Sequence, residues 1–140
     1  MNNIEMKNTL NTLHKNIYDL KEFKKHTKFE ISLSKRIAID YIITQLYYKI
    51  KGIEKYLYQN VSEDEIDEAV KRFSNPWVLN NAREKEIRED YKIKSKEAEK
   101  SEQYYYNKLA YFKDICEEFN DVELEWKTLY KNYPALDILI

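Results

Sequence analysis

Glycine and proline are almost missing from this chain of 140 residues, which holds one glycine, Gly52, and two prolines, Pro76 and Pro134. β-Hairpins are commonly closed by glycine-containing turns, and sandwiches or barrels need many such turns. The shortage leaves little material for a β-topology. Dinucleotide loops and P-loops each need several glycines to bring backbone close to phosphate, so both are excluded. Cysteine is represented by Cys116 alone. No intramolecular disulfide can form, which fits a reducing compartment. Long apolar runs are also lacking. The longest, residues 37–48, is interrupted by Asp40, Thr44 and Gln45 and is too short and polar to span a bilayer. The opening MNNIEMKN carries an acid and no apolar run, so no secretory signal is expected. The expected setting is the cytoplasm of a bacterium or a phage-infected cell, with no membrane partner.

Arginine is scarce, at 4 residues against 20 lysines, while Asn, Ile, Lys and Tyr fill 60 positions. Those four have A/T-rich codons and point to an A/T-rich genome such as a low-GC bacterium, its phage or a plasmid. Net charge is −1, but it is unevenly placed. Residues 1–60 carry 11 Lys/Arg against 6 Asp/Glu, and residues 61–140 carry 13 against 19. Such asymmetry can orient a partner, although a solvated surface explains it equally simply.

What is present is helical periodicity. Met6, Leu10, Leu13, Ile17 and Leu20 recur at three-and-four spacing, which predicts a helix over about 3–25. Thr27 to Glu30 has the pattern of a capping box opening a second helix. Ile39, Ile43, Leu46, Ile50, Ile53 and Leu57 form its seam, with further apolar residues flanking them. The wide apolar face predicts a central helix touching several neighbours. Ser62 and Glu65 form another capping box, with Val61 and Ile66 placed as a staple, before a short helix ending near Ser74. Asn75-Pro76 starts the next helix, with proline at the first helical position.

From Trp77 to Tyr133 there is no glycine or proline, and 14 of residues 83–103 are charged. A helix over about 76–119 is expected, roughly 66 Å long at 1.5 Å per residue. It must break near Ser95–Ser101 or run on with its charged middle exposed. The second is the favoured expectation. Asn120-Asp121 is expected to cap a last helix ended by Pro134, with the apolar tail ALDILI buried. The fold class is therefore all-α, a four- to five-helix bundle with one long charged helix open to coiled-coil-like pairing. The organisation is one helical domain over 1–140, made of a basic hairpin (1–60) and an acidic part (61–140).

Chemistry is poorly supplied. His14 and His26 are the only histidines and sit in no ligand cluster, so no metal or other cofactor is expected. Cys116 lies on an apolar seam between Phe112 and Phe119, where a buried thiol is favoured over a nucleophile. Asp121, Glu125 and Lys127 have the D…E-x-K spacing of PD-(D/E)xK nucleases. Those enzymes hold Mg²⁺ on adjacent strands, and ordinary surface acids on a helix account for the same residues. No arginine precedes a histidine as the helical R-x₄₋₆-H ribonucleases require. No catalytic residues are assigned.

Recognition is better supplied. Tyrosine occurs 13 times and is favoured at interfaces for its broad area and low entropy cost. Adjacent helical residues point about 100° apart, so Tyr104 or Tyr106 must escape the seam that holds Tyr105, as must one of Tyr47 and Tyr48. Lys24, Lys25 and Lys28 belong to a basic corner with Lys21, His26, Lys35 and Arg36, suited to phosphates. Leu136, Ile138 and Ile140 of the tail are candidate anchors in a partner's groove. The acidic residues Glu63–Glu68 and Glu117–Glu125 could stand in for a row of phosphates, with helix capping the simpler account of the first group. The leading expectation is a non-enzymatic protein-binding module, open to homodimer formation, acting as an inhibitor of a larger protein. Anti-defence proteins of phages and mobile elements, anti-CRISPR proteins and immunity proteins exemplify that class. The alternative is binding of nucleic acid or a nucleotide signal through the lysine corner and tyrosines. A metal-dependent nuclease comes third.

Overall fold

The computed structural model describes residues 1–72 and 80–139. The expected helix end at Ser74, the Asn75-Pro76 start and the anchor Ile140 lie outside the described residues. The described chain forms α1 (Asn3–His26), α2 (Leu33–Gln59), α3 (Glu63–Arg72), α4 (Asn80–Glu118) and α5 (Asn120–Tyr130), then a 3-10 turn, Pro134–Asp137. The all-α expectation holds, including one unusually long helix.

α1 starts where Asn2 Oδ1 accepts the Glu5 N–H at 2.8 Å. Its seam residues Met6, Leu13, Ile17 and Leu20 are all buried. Thr27 does not open α2 as its sequence context suggested. It closes α1, its backbone N–H and its hydroxyl both donating to the Phe23 carbonyl. The cap of α2 is Ser32, whose Oγ accepts the Lys35 N–H at 3.1 Å. The competing use of Thr27 is physical: a hydroxyl serves the unpaired carbonyls of a helix end as well as the unpaired N–H groups of a start.

α2 is the central helix. It packs against α1, α4, α5 and the 3-10 turn. Ile39, Ile42, Leu46 and Ile53 are fully enclosed, joined by Leu13 and Met6 of α1. A smaller cluster gathers Tyr41, Cys116 and Val122. There Tyr41 stacks between Phe112 of α4, at 5.4 Å between ring centres, and Trp126 of α5, at 5.0 Å.

Half of the Ser62 capping box forms: Ser62 Oγ accepts the Glu65 N–H at 3.1 Å. The Glu65 carboxylate reaches Lys7 of α1 instead, at 3.5 Å. Glu63 pairs with Arg88 of α4 at 2.6 Å. α3 therefore straps α1 to α4 at one end of the bundle.

α4 runs unbroken for 39 residues, about 58 Å at 1.5 Å per residue. Ser95 does not interrupt it. Ser95 and Ala98 are buried in its seam, between the Tyr58–Tyr91 ring contact and the Lys55–Glu102 ion pair with α2. The seam continues as Tyr91, Ser95, Ala98, Glu102, Tyr105, Leu109, Phe112 and Cys116 at alternating spacings of four and three. The expected pairs Glu84–Arg88 and Asp90–Lys94 form, at 2.7 and 3.1 Å.

α5 begins differently from its sequence reading. Phe119 occupies the cap position without a side-chain hydrogen bond, and Asn120 is already helical. Pro134 does not end α5, which stops at Tyr130. It opens the 3-10 turn, where a fixed φ suits the first turn of a helix. The tail is held by the Tyr130 hydroxyl donating to Asp137 at 2.6 Å and by Lys49 Nζ donating to the Ile138 carbonyl. Among the described residues, no helix is long and apolar enough to cross a membrane.

Candidate functional site

α1 and α4 both lie against α2, but they make no extended contact with each other. Between them a groove of about 820 Å³ opens over α2. Its floor carries Asp40, Thr44 and Tyr47, one wall carries Lys21 of α1, and the other carries Tyr104 and Lys108 of α4.

The floor is set by a ring pair. Tyr47 and Tyr105 stack at 5.1 Å between centres and 9° between planes, so one face of each ring is covered by the other. Tyr104 meets the edge of Tyr105 and remains 54% exposed. Lys21 Nζ donates to the Tyr47 hydroxyl at 2.6 Å. Lys108 Nζ sits 4.8 Å from the centre of the Tyr104 ring. The Lys108 pKa is raised, chiefly by hydrogen bonding to Tyr104, with the Asp40 charge adding to it. Asp40 itself is paired with Lys24 at 2.6 Å. The carboxylate on the floor is thus paired with Lys24, while Lys21 and Lys108 rest on tyrosine side chains.

Further along α4 the same flank turns apolar. Tyr111 lines both this groove and a second concavity of about 670 Å³. There Ile37 and Ile115 lie beneath Leu33, Tyr111 and Phe119, of which Leu33 is 71% and Tyr111 63% exposed. Glu118 and Asp121 stand at its rim. Tyr104, Lys108, Tyr111 and Ile115 are spaced four, three and four, a stripe beside the α4 seam. That stripe was legible in the sequence. Scanning for the strongest apolar seam passes over it, because it contains one lysine and two tyrosines. Leu33 and Phe119 come from other parts of the chain, and no local pattern joins them to it.

The sequence-nominated residues separate. Tyr47 and Tyr104 belong to the groove. Tyr106 is 56% exposed but lies on the opposite flank of Tyr105, where it tilts against Tyr48 at 6.0 Å between ring centres. Lys24 is engaged with Asp40. Lys28 lies over the Phe29 ring at 5.5 Å, and its carbonyl receives Arg36. Lys25 is exposed at the end of α1. Leu136 and Ile138 are partly buried against the main core, so their apolar surface is already covered within the chain.

The catalytic alternatives find little geometry. Residues 121–127 lie in α5, where Glu123 and Lys127 form a pair one turn apart at 3.0 Å. The polar–apolar alternation there is not a strand. Among the described residues, no three His, Cys, Asp or Glu side chains are grouped as metal ligands would be. His14 is exposed, and His26 pairs with Glu22 on the same helix. Burial raises the Cys116 thiol pKa, with Glu123 adding to it, away from the thiolate a nucleophile requires.

No protein-family model, curated protein or solved structure matches this chain.

Proposed function

We propose that this protein is a non-enzymatic binding module that recognises a larger protein through the Tyr104–Tyr111 flank of α4 and the grooves on either side of Tyr111. One observation carries the reading. Tyr104, Tyr111, Leu33 and Phe119 remain exposed around two concavities that share Tyr111. A strip of tyrosine with an apolar end and a charged rim has the composition of a protein interface. The small size and A/T-rich composition support an inhibitor carried by a phage or mobile element, and the lone cysteine supports a cytoplasmic setting.

Nucleic-acid binding at the basic corner has less support. Lys24 is neutralised by Asp40, and Lys35 lies over Phe23 at 5.5 Å.

The test is affinity capture from lysate of the source cells, with the wild type, Tyr104→Ala/Tyr111→Ala and Tyr106→Ala compared. A defined protein should co-purify with the wild type and Tyr106→Ala, and be lost from the double variant. Co-purification of nucleic acid alone, or retention of the protein by the double variant, overturns the assignment.

A further inference from the structure

The strip has a polarity along its length. At one end, Lys21 and Lys108 contact tyrosines, while Asp40, the one acid lining the groove among the described residues, is paired with Lys24. At the other end, Leu33, Tyr111 and Phe119 are exposed around a concavity edged by Glu118 and Asp121. The two ends are linked by Tyr111. From Tyr104 to Phe119 the strip runs about 22 Å, the length of a helix of roughly 15 residues.

We infer that the occupant of this strip is an amphipathic helical segment of the partner, acidic at the end over Lys21 and Lys108 and apolar at the end over Leu33 and Phe119. This inference rests on the protein-binding reading and adds the chemistry and direction of the bound segment.

Three arguments carry it. First, charge complementarity: Lys21 and Lys108 line the same groove from opposite walls and hydrogen-bond or lie against tyrosines, so a carboxylate of the occupant placed between them meets two positive charges. Second, direction: Glu118 and Asp121 repel an acidic segment docked the other way round, so the same charges that attract also fix orientation. Third, the rings favour a polypeptide over a nucleic-acid strand. Stacking of bases requires open ring faces. Tyr47 and Tyr105 cover one face of each other, and Lys108 covers one face of Tyr104, which reduces the ring face open to a base.

The experiment is panning of a random 15-residue peptide library on the immobilised full-length protein. Recovered peptides are synthesised with a fluorescent label and titrated by anisotropy, beside a labelled twelve-residue oligothymidylate. The expected result is enrichment of peptides with acids in one half and apolar residues at three-and-four spacing in the other. Their affinity should fall at least tenfold in Lys21→Glu/Lys108→Glu and be kept in Lys21→Arg/Lys108→Arg. Leu33→Asp should weaken the same peptides while an unchanged melting temperature shows the fold intact. Recovery without acidic bias, equal binding to the charge-reversed variant, or tighter binding of the oligonucleotide overturns the inference. If those results appear while Tyr104→Ala/Tyr111→Ala still loses its protein partner, only the chemistry of the segment is wrong and the binding surface stands.

Discussion

Trp126 donates its indole N–H to Gln45 Oε1 at 2.9 Å, joining residues 81 positions apart in the chain. The same indole stacks on Tyr41, which stacks in turn on Phe112. One side chain of α5 is thereby tied to α2 directly and to α4 through Tyr41. Loss of the acceptor leaves a partly buried N–H without its partner, which costs about 1–3 kcal/mol. Gln45→Leu should lower stability by about that amount in urea unfolding. Trp126→Ala removes the ring as well and should cost more, about 3 kcal/mol. Equal stability of all three proteins would show that the contact contributes nothing.

Ala98 lies almost fully buried where α4 crosses α2. Its size sets how closely the two helices approach. Ala98→Leu forces extra volume into a packed interface and should destabilise by about 1–3 kcal/mol. Ala98→Ser keeps the size and should cost less. Thermal unfolding by circular dichroism at 222 nm distinguishes them, with a lower midpoint expected for the leucine variant.

Tyr130 has its pKa pushed up to about 12 by the hydrogen bond to Asp137, with burial adding to the effect. A raised folded-state pKa means that the neutral phenol is favoured by folding. This contribution is fully present below pH 10, the ordinary phenol value carried by the unfolded chain. It is lost as pH rises from there toward 12. Stability should therefore fall across that window. Tyr130→Phe should cost about 1 kcal/mol at pH 7, a single hydrogen bond in partly solvated surroundings. It should also flatten the alkaline decline. An unchanged slope in denaturation curves between pH 9.5 and 11.5 would count against this coupling.

Cys116 is buried and its thiol pKa is raised. Both effects slow reaction with a disulfide reagent, which needs access and thiolate. In native buffer at pH 8 the reaction should be slower than in 6 M guanidinium by a factor of ~100 or more, an order-of-magnitude expectation from burial and lost thiolate. A comparable native rate would place the sulfur at the surface.

Much of the fold was readable from spacing alone. The α1 seam, the α2 seam, the Ser62 cap and the Glu84–Arg88 and Asp90–Lys94 pairs all occur where three-and-four periodicity and capping chemistry put them. Local rules failed where one residue can serve two purposes. Thr27 has a hydroxyl that caps a helix end as readily as a start, and Phe119 rather than Asn120 precedes α5. The favoured unbroken course of the long helix through Ser95 holds, but apolar counting alone did not place Ser95 and Ala98 in its buried seam. Packing counts size as well, and a small residue lets two helices close on each other. Of the candidate site, Tyr47 and Tyr104 were nominated from the sequence. Leu33, Lys108 and Phe119 were not, because what joins them is proximity across α2, α4 and the α4–α5 junction.

Periodicity and the near absence of glycine determined that this chain is helical, because a helix records its buried face in residues three and four apart. They also determined that Tyr104 and Tyr106 cannot both share the seam that holds Tyr105. Which tyrosines stay open, which lysines find a carboxylate, and where a groove is left between α1 and α4 were decided only by the tertiary structure. The physical reason is range. Helix formation depends on neighbours within a few residues, whereas a groove exists only where two helices distant in the chain stop short of touching.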